Sequence, residues 1–373
     1  MRFTINKNEF LKGLLIASHA VGSKNANPML LGFKLEMSSL GLEITANNDD
    51  IAIWTVIPLA NEEKEIIRNY TLGVTLINAH LLTEVVRKME GEEISLEVID
   101  DRVAKVDDGN TNYQLNCQSA EEYPDIDLEK GGNIFNVSCA DLAKLVEMTA
   151  FAALDKNTRP ILTAINLRGE GGKLTATATD SARLSRKSVE IDPSIRFSAN
   201  IPARTLSEVV RLFENNIEVE IAASETKVIF SFGNTVVKSR LIGGDYPVSN
   251  AIIPTNFNYR LSVSASALLN AIDRVSVLAT DRAAVVKLEM TSDGIEVSSS
   301  SDQTGSGAET LTAVQYQGER LEVAFNALFV TQAVKALVSD DVELKFIGEM
   351  KPFVIVNPND DSVVELITPM RTR

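Results

Sequence analysis

Apolar residues fall at offsets 0, 2, 7 and 11 in three separate stretches of the chain: Phe3, Ile5, Phe10, Leu14; Phe135, Val137, Leu142, Val146; and Leu261, Val263, Leu268, Ile272. The two-residue step puts the first pair on one face of a strand, and the four-residue step puts the second pair on one face of a helix. Each stretch therefore predicts a strand that turns into a helix, with Asn8, Ser138 to Asp141 and Ser266 offering N-cap chemistry there. A second alternating strand follows in each case: Leu42, Ile44, Ala46; Leu174, Ala176, Ala178; and Ile295, Val297, Ser299.

The pattern then echoes in the residues themselves. Ala79-His80-Leu81-Leu82-Thr83-Glu84-Val85-Val86-Arg87 returns as Ala203-Arg204-Thr205-Leu206-Ser207-Glu208-Val209-Val210-Arg211, and more worn as Ala327-Leu328-Phe329-Val330-Thr331-Gln332-Ala333-Val334-Lys335, both steps being 124 residues. The stripe Leu82, Val85, Val86, repeated as Leu206, Val209, Val210, predicts an amphipathic helix of about eleven residues. A strand comes next each time, through Ile94, Leu96, Val98; Ile217, Val219, Ile221; and Val342, Leu344, Phe346. The units close alike on Tyr123-Pro124, Tyr246-Pro247 and Thr368-Pro369. Solenoid repeats run roughly 20–50 residues, so this period marks a whole domain in triplicate. Each copy is two consecutive modules of strand, helix and strands, an α+β domain. Gly131-Gly132 and Pro254-Thr255-Asn256 mark the borders, giving domains 1–129, 130–254 and 255–373.

With 373 residues, 45% of them hydrophobic, the chain can fill several cores. No apolar run approaches the roughly 20 residues of a membrane span, and no basic-then-apolar leader opens the chain. No membrane association and a cytoplasmic setting are expected. Cys117 and Cys139 suit a reduced compartment, fitting neither a metal motif nor a disulfide framework. Catalytic chemistry is undersupplied. His19 and His80 stand alone on predicted helices, and neither a Walker A loop nor a G-x-S-x-G elbow occurs. The pairs Asp49-Asp50, Asp100-Asp101, Asp340-Asp341 and Asp360-Asp361 read as solvated turns. The rival reading, a metal-dependent nuclease, would need such carboxylates to converge from different elements. The expectation is no catalytic residue, no metal and no cofactor.

A net charge of −15 should repel nucleic acid. The predicted helices are less acidic than the rest, carrying Lys12, Arg87, Lys88, Lys144, Arg204, Arg211, Arg274 and Lys335. Two readings stay open: ordinary solvated helix faces, or helices that face a polyanion inside an acidic outer wall. The second needs a closed architecture in which border strands pair between units and two chains complete a ring of six.

Several segments are familiar: Met1-Arg2-Phe3-Thr4-Ile5, Asn27-Pro28-Met29-Leu30, Glu122-Tyr123-Pro124, Thr158-Arg159-Pro160-Ile161-Leu162, Ala178-Thr179-Asp180-Ser181-Ala182-Arg183-Leu184 and Ile367-Thr368-Pro369-Met370-Arg371-Thr372-Arg373. In this order, from first residue to last, they resemble the bacterial DNA polymerase III beta subunit family, the sliding clamps. The resemblance implies a head-to-tail homodimer, a six-domain ring with helices inside and sheets outside, encircling double-stranded DNA without sequence preference. It implies a processivity factor with no chemistry of its own, found in the cytoplasm with the nucleoid.

Partners implied by the resemblance are the DNA polymerase III alpha subunit, the clamp loader, other polymerases and repair proteins, docking through short hydrophobic peptides. Carried over by position, Leu162, Thr179, Arg183, Leu184, Pro247, Ile252, Pro369, Met370 and Arg371 line the peptide cleft. Lys24 resembles the family's DNA-contacting loop residue, and Lys12, Lys144, Arg204, Arg211, Arg274 and Lys335 are candidates by helix position. Tyr113 and Leu115 resemble one side of the dimer interface, Val277 and Leu278 the other. The chain departs from the family at Ser181-Ala182, where Gly-His is frequent, at Ala251, near a frequent Arg, and at Thr368, where Met or Leu is usual. These changes bear on peptide preference. A specialised second-copy clamp, serving damage tolerance or resistance, is the alternative within the family.

Overall fold

Each of the three apolar patterns folds as a strand running into a helix. Arg2–Asn6 leads into α1 (Lys7–Ser18), Asn133–Ser138 into α3 (Cys139–Glu147), and Tyr259–Ser264 into α5 (Ala265–Ser276), and every apolar residue of the pattern is buried. The 124-residue echo forms the remaining helices: α2 (Ala79–Lys88), α4 (Ala203–Arg211) and α6 (Ala327–Ala336). The computed structural model describes residues 1–22, 25–155, 158–247, 252–278, 284–312 and 315–371.

Two local expectations are corrected. Asn6, not Asn8, caps α1, its side chain accepting from the N–H groups of Asn8 and Glu9 at 3.1 and 3.2 Å. Asn78 and Asn326 cap α2 and α6 in the same way, while Asn8 and Ser266 lie inside the first turn of their helices. Ile217, expected on a strand, is 83% exposed, because the strand begins at Glu218; the carbonyl of Ile217 instead accepts from the Cys139 N–H.

The described chain divides into two compact units, residues 1–139 with 208–241 and residues 140–207 with 242–373. In the first, thirteen antiparallel strands form one sheet. Helix α1 packs on α2 and lays Gly13 against Ile57 and Ile44, where an added Cβ would meet the Ile57 Cδ1 at 2.7 Å. The strand Thr235–Arg240 pairs with Ile51–Pro58, setting Val237 opposite Ile53, and buried Thr55 and Thr235 share a 2.9 Å hydrogen bond across that border. The strand Asn112–Gln118 pairs with Val103–Asp107 along Asn112–Asn116, yet meets Gly73–Asn78 only at Cys117 and Gln118. One edge of residues 112–116 thus has no strand partner among the described residues.

The second unit holds a nine-stranded and a four-stranded sheet, both antiparallel. In the larger sheet, Arg183–Glu190 pairs with Asp360–Ile367, setting Ser185 opposite Glu365. Helices α5 and α6 pack together over a continuous apolar core that includes Leu268, Ile272, Val297, Phe325, Phe346 and Phe353. In the smaller sheet, the strand Gly305–Leu311 pairs only with Ile295–Ser301, so its outer edge is open among the described residues.

Candidate functional site

The loop after the strand Lys173–Thr179 is built almost wholly from its own side chains. Thr179 Oγ1 donates to the Arg183 carbonyl at 2.6 Å and accepts from the Ser181 N–H at 3.1 Å. The Asp180 carboxylate accepts from the N–H groups of Ala182 and Arg183 at 2.9 and 3.1 Å. Ser181 is held at φ 82°, in the left-handed region where a Cβ crowds the backbone and glycine is favoured. The Tyr246 hydroxyl accepts from the Thr179 N–H at 3.1 Å and donates to the Ala164 carbonyl at 3.2 Å. Burial pushes its phenol up to about 12, so it keeps the proton that the second bond uses.

Ala164 follows the 3-10 turn Pro160–Thr163 that carries buried Leu162. The C-terminal segment arrives from the other side: the Thr368 N–H donates to the Ala182 carbonyl at 2.9 Å, and the Met370 N–H to the Ala324 carbonyl at 2.7 Å. The second unit therefore gathers Leu162, Thr179, Arg183, Leu184, Pro369 and Met370 around one loop. Buried Leu184 packs with Val354 and Leu366, against partly buried Ile253 and Phe257. Pro247, Ile252 and Arg371 are exposed, and Ala251 lies outside the described residues.

Arg183, expected among the residues that line the cleft, is turned inward. It is 8% exposed, with Nε donating to Asp180 Oδ2 at 3.0 Å and its two amino groups donating to Gln332 Oε1 and the Phe151 carbonyl. Its guanidinium carbon sits 5.3 Å from the Phe151 ring centroid and 4.4 Å from that of Phe329. Burial pulls its pKa below the usual value, while Asp180 opposes the shift. Arg183 is a buried support behind the lining, fully engaged by hydrogen bonds and ring faces. The residues that hold it, Phe151, Asp180, Phe329 and Gln332, did not emerge from the sequence; the recurring Tyr-Pro pair could have pointed to Tyr246.

All six helix cations proposed to contact DNA are exposed, but four are already paired. Lys12 reaches Glu214 at 2.6 Å, Lys144 reaches Asp141 at 3.9 Å, Arg211 reaches Glu208 at 3.2 Å, and Arg274 holds Glu309 through two bonds of 2.6 and 2.7 Å. Arg204 and Lys335 have no ion pair among the described residues; Lys24 lies outside them. Of the interface candidates, Tyr113 is 37% exposed, whereas Leu115 is only 5% exposed and turned into the core. Val277 is 79% exposed, and Leu278 places Cδ1 beside Gly307, 3.0 Å from where a Cβ would stand.

The acidic pairs do not converge. Asp49, Asp100 and Asp101 sit in turns with positive φ, whereas Asp360 and Asp361 lie on a strand, where Asp360 binds Lys187 at 2.7 Å. Among the described residues, no three His, Cys, Asp or Glu side chains are grouped as metal ligands.

Comparison with known proteins places this architecture. Models of the DNA polymerase III beta subunit match end to end: the N-terminal domain at residues 1–127, the central domain at 136–248, and the C-terminal domain at 250–371. The chain belongs to the DNA polymerase III beta subunit family. It is 34% identical to the beta sliding clamp of Bacillus subtilis and 29% identical to that of Staphylococcus aureus, in both cases over the whole of each chain. The crystal structure of the Bacillus subtilis DNA polymerase sliding clamp superposes with a TM-score of 0.95 at 33% identity, and the Streptococcus pneumoniae DNA polymerase III beta chain with 0.95 at 30%, both with complete coverage. Within this beta-subunit fold of three tandem clamp domains, the Ser181 loop and the Arg183 support are how this chain builds the candidate cleft.

Proposed function

We propose that the chain is a DNA sliding clamp, a non-catalytic processivity factor that encircles duplex DNA and tethers a replicative polymerase. The observation that carries this reading is similarity to beta sliding clamps over the entire length, domain by domain. A polymerase tethered by topology stays near the primer end at high effective concentration. Weak, interchangeable contacts to phosphates suit sliding, and an acidic body whose candidate helix cations are mostly ion-paired accords with them. Clamp loader, other polymerases and repair proteins would dock their hydrophobic peptides at the Leu162, Thr179, Leu184, Pro247 and Met370 surface. The boundaries 1–129, 130–254 and 255–373, and a cytoplasmic location at the nucleoid, belong to the same proposal.

The rule of the two internal borders supports ring closure. In each, the third strand after one domain's second helix pairs with the third strand after the preceding domain's first helix. Two strands remain, Asn112–Gln118 in the first domain, open along residues 112–116, and Gly305–Leu311 in the third, each with an edge unpaired among the described residues. The ladders within one chain support a particular register. Val237 and Glu365 sit three strands from Phe135 and Leu261, as Tyr113 does from Phe3. Ile53 and Ser185 sit opposite Ala46 and Ala178, as Gly307 does opposite Ser299. Since Val237 faces Ile53 and Glu365 faces Ser185, Tyr113 of one subunit faces Gly307 of the partner subunit. A large ring meets a position with no side chain, beside Leu278.

The test is retention on nicked circular DNA, lost when the circle is linearised, by protein whose solution mass is twice 40.6 kDa. Equal retention on both forms excludes topological binding.

A further inference from the structure

Glu365 is completely buried on the border strand between the central and C-terminal domains, and its only hydrogen-bond partner among the described residues is Ser185, Oγ to Oε1 at 2.8 Å. Ser185 Oγ also contacts the Met148 carbonyl, just beyond α3. A serine hydroxyl carries a single proton, and a carbonyl can only accept. If Ser185 donates to Met148, the hydrogen between Ser185 and Glu365 must come from the carboxyl. The surroundings agree. Among the described residues no cation lies within ion-pair distance of Glu365, and Arg183, whose charge acts on it, is committed to Asp180, Gln332 and Phe151. Asp155 and Asp180 stand around Arg183, α6 contributes neutral Gln332, and the neighbouring strand presents Ile355.

We propose that Glu365 is a positioning residue for the peptide cleft: as a neutral acid it donates to Ser185, which donates to Met148, and this relay locks the border strand that carries Leu184 into the cleft and Arg183 behind it. The relay sits two residues from Arg183 and one from Leu184, and Glu365 is followed by Leu366, which packs on Leu184. Ionised Glu365 could only accept, so Ser185 would have to abandon Met148 and leave its carbonyl unpaired. Burial raises the Glu365 pKa well above 4.5, which accords with the neutral form. Because the folded pKa lies above the unfolded one, the folded state gains protons in that window. Stability is then full below the unfolded carboxyl range and falls as pH rises toward the folded pKa.

The proposal rests on the clamp reading for its peptide and not for its relay, and the experiment separates the two. Denaturation midpoints of the intact dimer are measured between pH ~5 and pH ~9 for the wild type, Glu365→Gln and Ser185→Ala. Binding of a fluorescent hexapeptide with Leu and Phe anchors is followed alongside. The wild type should lose stability with rising pH and bind peptide more weakly, by up to about tenfold per pH unit beyond the Glu365 pKa. Glu365→Gln, whose amide still donates to Ser185, should remove this component of both slopes and retain binding; Ser185→Ala should weaken binding at every pH. Parallel stability slopes for wild type and Glu365→Gln would overturn the relay. A changed stability slope with an unchanged peptide slope would overturn the positioning role. Should the peptide bind to neither protein, the clamp reading and the positioning role fail together, and the stability slopes still decide the relay. Infrared detection of a protonated carboxyl in the wild type that disappears with rising pH supports the relay without any variant, and its absence overturns it.

Discussion

Arg183 lies over the ring of Phe329, its guanidinium carbon 4.4 Å from the centroid, with Asp180 bonded to its edge. Truncating it strands a nearly buried Asp180 carboxylate and empties the space between two rings. Arg183→Ala should therefore destabilise the fold by about 3 kcal/mol. Arg183→Lys keeps the charge but loses the fork, and should cost about 1–2 kcal/mol. Denaturant midpoints measure both. Equal midpoints for wild type and Arg183→Ala would mean that the buried pair contributes nothing net.

Ser181 is the next position where the loop holds a cost. At φ 82° its Cβ opposes the backbone, although its N–H is well bound by Thr179. Ser181→Gly keeps that bond and removes the clash, so the variant should gain about 1 kcal/mol despite glycine's extra unfolded entropy. Thermal melting of the two proteins checks the sign.

The apolar stripes were legible in sequence because strands and helices each impose a period, and most of their residues are buried as the offsets required, Ile217 being the exposed exception. Periodicity has no reach across sequence, and there the reading stopped. The burial of Arg183 is not legible locally because the rings that enclose it, Phe151 and Phe329, come from distant segments of the chain. Leu115 and Tyr113 share a strand parity, yet Leu115 is covered by its own domain and Tyr113 is not. Asn6 caps α1 in place of Asn8 because the helix starts two residues earlier than that cap implies.

Among the helix cations, Arg204 and Lys335 are uncommitted, while Arg274 is held by both oxygens of Glu309, which raises its pKa further. Each cation that neutralises a phosphate contributes about 0.9 to the slope of log affinity against log salt. Arg204→Ala and Lys335→Ala should each flatten that slope on circular DNA by about that much, and Arg274→Ala by less. Identical slopes for all three would remove the distinction.

The proposed register, Tyr113 facing Gly307 of the partner subunit, makes neighbouring pairs predictable. Gln114 should face Ser306, and directly opposed residues lie about 4.5–5.5 Å apart at Cα, within disulfide reach. Gln114→Cys with Ser306→Cys should cross-link the dimer under mild oxidation. Gln114→Cys with Ala308→Cys is displaced by two residues, about 7 Å along the strand, and should not. Efficient cross-linking of only the displaced pair would refute the register.

Lys187 and Asp360 close the far end of the border that Glu365 occupies, and they respond to pH in the opposite sense. Burial works against ionisation of Asp360, yet hydrogen bonds from Lys187 and Ser362 hold its carboxyl down to about 2 from 3.8. A depressed folded pKa gives stability that is present above the unfolded value and lost as pH falls from about 4 toward 2. The side chain is 32% exposed, so solvent screening reduces the contribution to about 1 kcal/mol. Asp360→Asn should lower the midpoint at neutral pH by that amount, or more where nearly buried Lys187 is left without a counter-charge, and should blunt the acid limb of the stability profile. The wild type would then be most stable at mildly acidic pH, between the Asp360 limb below and the Glu365 limb above. An acid limb unchanged by Asp360→Asn would show that the pair at this end of the border is neutral to stability.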